Sequence, residues 1–246
     1  MTDGEALSRS AALLGEQTVT RLGAAPVLVV GVGGVGSWCA EALVRTGVRR
    51  LTLVDDDIVV PSNLNRQDEA TVATLGQPKV EALRERLLAL APAVRIAALA
   101  VRYPETDGAL PAALCLKDFA VIVDAIDSVG SKARLLLDAA DAGVPVVSSM
   151  GAALRVDPTQ VTVRRFDRVE GDGLARALRQ RFKKIGRFPV RRFDCVCSTE
   201  PPADVAATGG VRGSVMPVTC AFGMALAAQA IRLLTDERTD GAERAL

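Results

Sequence analysis

The chain has 246 residues, 49% apolar but only 3% aromatic, with 30 Lys and Arg against 29 Asp and Glu. That length and apolar content suffice for one large α/β domain, or one and a half small ones, with a core of Ala, Val and Leu, and a net charge of +1 by itself selects no class of partner. There is no histidine, which excludes imidazole bases, His metal ligands and a Ser-His-Asp triad.

The N-terminal MTDGEALSRS is acidic and polar and lacks a signal-peptide pattern, so a cytoplasmic protein is expected. Residues 6–22 read as a short amphipathic helix. VLVV (27–30) is a β-run, 36–46 suit a helix, and Gly47 caps it. LTLVD (51–55) is the second strand, 56–78 are loop, and KVEALRERLLAL (79–90) has helical period with its charges on one face. VRIAALAV (94–101) is the third strand. FAVIVDAID (119–127) is the fourth, buried on both faces by its unbroken apolar run. A helix over 131–142 and a strand VPVVSSM (144–150) follow. This alternation implies an α/β fold: a Rossmann-like, doubly wound, mainly parallel sheet, with QVTVRRF (160–166) beginning an antiparallel extension. The stretch 218–234, carrying Gln229 and Arg232, is short for a membrane span and reads as a buried C-terminal helix, so no membrane association is expected.

Residues 164–192 differ in character. They hold eleven Arg and Lys against three acids, a net +8, while the other 217 residues hold 19 basic and 26 acidic. A strongly basic segment is inserted in an acidic body. It reads either as a solvated amphipathic helix, LARALRQRF, or as a surface for a polyanion; Arg179, Arg181, Lys183 and Lys184 are its densest cluster. The five cysteines form no C-x-x-C pair, so a four-Cys zinc site is not expected. Cys195 and Cys197 suit either small buried hydrophobes or a redox pair.

Gly31, Gly33 and Gly36, with Gly34 between, match G-x-G-x-x-G directly after a strand and at the start of a helix. Such a turn brings phosphate to the backbone and to the helix N-terminus. Asp55, 19 residues past Gly36, is placed to accept from ribose hydroxyls. Taken alone this fits NAD as well as ATP. The continuation DDDIVVPSNLNRQ and GQPK adds Asp57, Asn63, Arg66 and Lys79, polar or cationic groups that suit a triphosphate. VDAID puts Asp124 and Asp127 at the end of the fourth strand, where a carboxylate can hold Mg²⁺.

On GVGGVGS, LVDDDIVVPSNLNRQ, GQPK and DAIDS, the chain resembles the ubiquitin-activating-enzyme-like adenylyltransferases, the superfamily of the thiamine and molybdopterin sulfur-carrier activators, over about residues 6–235. That resemblance implies attack by a carboxylate on the α-phosphate of ATP. It implies Asp55 as ribose ligand, Asn63, Arg66 and Lys79 as phosphate ligands, and Asp127 as Mg²⁺ ligand with Asp124 beside it. It also implies a homodimer in which Arg9 of the N-terminal helix completes the other site, and it allows a monovalent cation at no assigned residue. The C-x-x-C pairs of the sulfur-carrier activators are absent, and no residues remain for a catalytic-cysteine domain, so 1–246 reads as a single adenylation domain.

DCVCSTEPP (194–202) and the basic insertion resemble one subfamily, the tRNA threonylcarbamoyladenosine dehydratases. That implies a tRNA substrate and ATP-driven cyclisation, with 194–217 as a crossover loop over the substrate. The rival readings are a sulfur-carrier adenylyltransferase, an NAD-dependent oxidoreductase, and a nucleotide-sensing partner of a cysteine desulfurase.

Overall fold

Short apolar runs form the strands β1 Pro26–Val30, β2 Arg50–Val54, β3 Arg95–Leu99, β4 Val121–Asp124 and β5 Val146–Ser149, followed by β6 Val161–Arg165 and β7 Asp194–Ser198. The computed structural model describes residues 3–106, 114–204, 206 and 209–236. The strands make one seven-stranded sheet in the order β3-β2-β1-β4-β5-β7-β6. Every neighbouring pair is parallel except β6 with β7, where Val163 lies opposite Val196.

The helices are α1 Asp3–Leu14, α2 Glu16–Ala24, α3 Gly36–Thr46, α4 Lys79–Leu90, α5 Val129–Ala142, α6 Gly173–Ile185 and α7 Met216–Thr235. Alternate strand residues serve opposite layers, as the two-residue strand period requires. Val27, Val29, Leu51, Leu53, Val121 and Val123 join one core with α3, α4 and α7. Leu28, Val30, Val54 and Ile122 join another with Leu135 and Ala139 of α5. A third cluster packs α5 and α6 over Met150, Phe193, Cys195 and Cys197. Helix α7 crosses α3 closely at Gly223, where a Cβ would lie 2.7 Å from the Val35 carbonyl oxygen.

Three expectations need correction. The single helix over 6–22 is two, broken at Gly15, whose φ of +89° interrupts the helical path. DCVCS is not the start of a loop but the buried strand β7, paired on both sides; the crossover loop begins after Ser198, and its residues 205, 207 and 208 lie outside the described residues. The C-terminal helix has twenty residues, long and apolar enough to cross a membrane by length and composition. Here Val218, Phe222, Leu226 and Ala230 are buried in the core that α7 shares with the sheet.

Candidate adenylation site

Strand order reverses between β1 and β4, and a cavity of about 820 Å³ opens there at the carboxyl ends of β1, β2, β4 and β5. A topological switch point is where open α/β sheets bind ligands. Gly31 makes the turn out of β1 with φ +85°, and a Cβ there would lie 2.7 Å from the Ala125 carbonyl oxygen. At Gly36 a Cβ would stand 1.8 Å from the Gly31 carbonyl oxygen, so only glycine lets α3 start this close to the loop. Gly33 and Gly34 line the cavity, with the Arg66 side chain over Gly34.

Asp55 follows β2 and is held by two backbone donors: the Val32 N–H reaches Oδ2 at 2.8 Å and the Asp57 N–H reaches Oδ1 at 2.9 Å. Burial raises its pKa above the ordinary carboxylate value, opposed by those two N–H groups. Lys79 opens α4, is buried, and places Nζ 2.7 Å from Oδ2 of the exposed Asp57. Asn63 is buried in a short turn and accepts the Val60 N–H at 3.0 Å, leaving its amide N–H groups at the cavity wall. The loop is pinned to α3 by the Trp38 indole, which donates to the Arg66 carbonyl at 2.8 Å. The Arg66 guanidinium donates to the Ser62 carbonyl at 2.8 Å and to Asn65 Oδ1 at 2.9 Å. Asp127, three residues past β4, is exposed at the cavity.

Asp124 does not stand beside Asp127 in the cavity. It is fully buried, 2.8 Å from Lys132 Nζ, and accepts the Ser148 hydroxyl at 2.6 Å. Lys132 also donates to the Ile126 carbonyl at 2.9 Å, so the pair braces the β4–α5 turn that carries Asp127. Arg9 lies exposed on α1 and does not line this cavity. Arg179 is turned inward. Its Nη2 donates to the carbonyls of Phe166 at 2.8 Å and Val169 at 2.5 Å, and the guanidinium lies 5.1 Å from the Phe166 ring centre. Arg181 is half-buried, and of the cluster only Lys183 and Lys184 are exposed. Cys195 and Cys197 are buried in β7, and burial pushes both thiols up, Cys195 well up, which disfavours the thiolate form.

Sequence reasoning missed three wall residues. Gln67 is buried with its Oε1 unpartnered and its amide near Gly33. Arg155 and Asp172 are a buried ion pair that lines the same cavity. Asp172 has a legible signal, an Asp just before a helical run, since it caps α6 by accepting the Ala175 N–H at 2.9 Å.

The open glycine cradle, the cationic Lys79 and Arg66, the unpartnered Gln67 oxygen and the exposed Asp127 fit a nucleoside triphosphate with a hard cation. The ThiF family profile matches residues 7–246. This chain belongs to the ThiF family. Among ThiF-family relatives, tRNA threonylcarbamoyladenosine dehydratase 2 of Saccharomyces cerevisiae is 40% identical over 183 residues, 74% of this chain and 40% of the yeast protein. The chain thus matches well under half of that relative. The tRNA threonylcarbamoyladenosine dehydratase of Escherichia coli is 37% identical over 202 residues, 78% of this chain and 72% of the other. The solved structure of the E. coli enzyme TcdA in complex with AMP superposes with a TM-score of 0.88 at 32% identity, covering 98% of each chain. That enzyme has also been solved in complex with ATP.

Proposed function

We propose that this chain is an ATP-dependent tRNA threonylcarbamoyladenosine dehydratase that works by carboxylate adenylation. The observation that carries the reading is the shape of the cavity. Its lining brings together the glycine loop with Lys79 and Arg66 and the start of α6, where Asp172, Gly173 and Leu174 line the same space. A nucleotide cradle and the start of the basic helix therefore share one opening, which suits a substrate that is an RNA polyanion.

In this reading the glycine loop and the α3 N-terminus hold phosphate, and Asp55 takes the ribose. A carboxylate oxygen of the threonylcarbamoyl group attacks the α-phosphorus, and pyrophosphate leaves. Ring closure at the activated carbonyl then expels AMP, so the nucleoside loses the elements of water. Lys79 and Arg66 neutralise the growing phosphate charge. The attacking carboxylate is already ionised at neutral pH, so the adenylation step needs no histidine base, and the proton lost by the carbamoyl group in ring closure passes to solvent. Asp127 would hold Mg²⁺, which supplies charge neutralisation between phosphates when bound. The protein acts as a cytoplasmic homodimer in which Arg9 of one copy reaches the phosphates bound by the other.

The test is AMP release from ATP with tRNA bearing threonylcarbamoyladenosine, with unmodified tRNA, and with no RNA. Release confined to the modified tRNA, with loss of one water from the nucleoside, is the expected result. Release only with a protein ending in Gly-Gly would instead establish the sulfur-carrier reading. For Arg9, mixing Arg9→Ala with Asp127→Ala protein should recover activity that neither has alone, because one mixed site carries both native residues.

A further inference from the structure

Four of the six phenylalanines form one column. Phe193 stacks on Phe166 with ring centres 5.0 Å apart and planes 18° apart, Phe166 meets Phe182 edge-on at 6.0 Å, and Phe182 meets Phe188 at 5.6 Å. Phe193 and Phe182 are buried, whereas Phe188 is 48% exposed. The chain has only eight aromatic residues, all of them described, and Phe188 is the one that is exposed. It follows Gly186, which ends α6 in the left-handed conformation with φ +76°.

The surroundings of this ring are cationic. Lys183, Lys184, Arg187, Arg191 and Arg192 are all exposed on the same short stretch of chain. Arg187 is ion-paired with Asp141, and Arg191 donates to the Gly143 carbonyl at 2.8 Å, which orders it without neutralising it. An aromatic face set on a buried column offers stacking without the entropy of ordering a floppy side chain. Cations beside it offer phosphate contacts. Single-stranded nucleic acid is held by that combination, because every base has a π-face while duplex bases are already stacked.

We infer that Phe188 is a stacking platform for an unpaired base of the RNA, separate from the adenylation cavity. The inference rests on the RNA reading above. Helix α6 has thirteen residues, so its ends lie ~20 Å apart at about 1.5 Å per residue. Its first turn lines the cavity and Phe188 packs on Phe182 in its last turn, so the two contacts fall on different nucleotides of one RNA.

The experiment is a fluorescence-anisotropy titration of an RNA stem-loop with an unpaired loop and of a fully paired duplex of equal charge. The proteins are the full chain and its Phe188→Ala, Phe188→Leu and Phe188→Trp variants. The expected result is a loss of about tenfold in stem-loop affinity for Phe188→Ala. Phe188→Leu should keep the contact with Phe182 and still lose affinity, Phe188→Trp should retain it, and duplex binding should be unchanged in all three. Equal loss on duplex and stem-loop, no loss on either, or full affinity in the leucine variant would overturn the inference. A change in the sedimentation of the RNA-free protein on Phe188→Ala would overturn it in favour of contact between copies. Failure of the unaltered protein to bind either RNA would overturn the RNA reading itself.

Discussion

Oδ2 of Asp172 lies 3.3 Å from Nη2 of Arg155, and both side chains are buried. The same carboxylate accepts the Gly151 N–H at 3.1 Å and caps α6 through the Ala175 N–H at 2.9 Å. Arg155 in turn donates to the carbonyls of Gly151 and Glu200. One ion pair thus ties the loop after β5, the chain after β7 and the first turn of the basic helix into a single wall.

Removing one partner of a buried pair strands the other charge. Asp172→Ala should cost about 3–5 kcal/mol of unfolding free energy. Asp172→Asn keeps a capping oxygen and should cost about 1 kcal/mol less than the alanine. Urea unfolding of the two variants checks both figures.

Substitutions at Asp127 and Lys79 should separate function from stability. Asp127 is exposed, and the partner of Lys79, Asp57, is exposed and stays hydrated when the lysine is removed. Asp127→Ala should abolish AMP release with unfolding free energy changed by no more than about 0.5 kcal/mol. Lys79→Met, which keeps most of the buried stem, should lower AMP release by about 100-fold or more, the usual effect of deleting a preorganised charge-stabilising group. A full-rate Asp127→Ala protein would remove Mg²⁺ from that position.

Glu69 should leave a pH signature. It is 1% exposed, and burial pushes its carboxyl up to about 7 while the charge of Lys79 pulls it down. The native state therefore holds this proton to higher pH than the unfolded chain does. Its contribution to stability is full below the ordinary carboxyl range and is lost as pH rises towards 7. Glu69→Gln imitates the protonated form. The variant should match the parent near pH 3 and exceed it at pH 8 by up to about 3 kcal/mol. Urea midpoints at the two pH values test this.

Lys183 and Lys184 should govern salt dependence. Replacing both with alanine should reduce the slope of log affinity against log salt by about 1.4 on single-stranded RNA, if each meets one phosphate. AMP formation at saturating RNA and low salt should be almost unchanged. An unaltered slope would mean that these lysines face only solvent.

The nucleotide half was legible because its signals are local. VLVV and FAVIVD are unbroken apolar runs, and Gly31 and Gly36 are fixed by contacts a few ångströms from their own backbone. Asp124 was misjudged because its neighbour in the sequence, Asp127, points to the cavity while its neighbour in space, Lys132, lies one turn into α5. Strand β7 carries Asp, Cys and Ser, a poor strand composition, and it is a strand because β5 and β6 flank it. Arg179 looked like its lysine neighbours in composition, yet the helical period turns it towards Phe166 and leaves them outside. Charge counting found the basic helix, but which of its cations face outward is a property of packing.

The bracing of Asp127 and that of Asp172 share no residue. Asp124 and Lys132 hold the turn beside the glycine loop, while Arg155 and Asp172 hold the wall that meets α6. The glycine-loop side and the α6 side of the cavity thus each carry their own internal brace. A substitution that loosens the Arg155–Asp172 brace therefore leaves the Asp124–Lys132 brace in place.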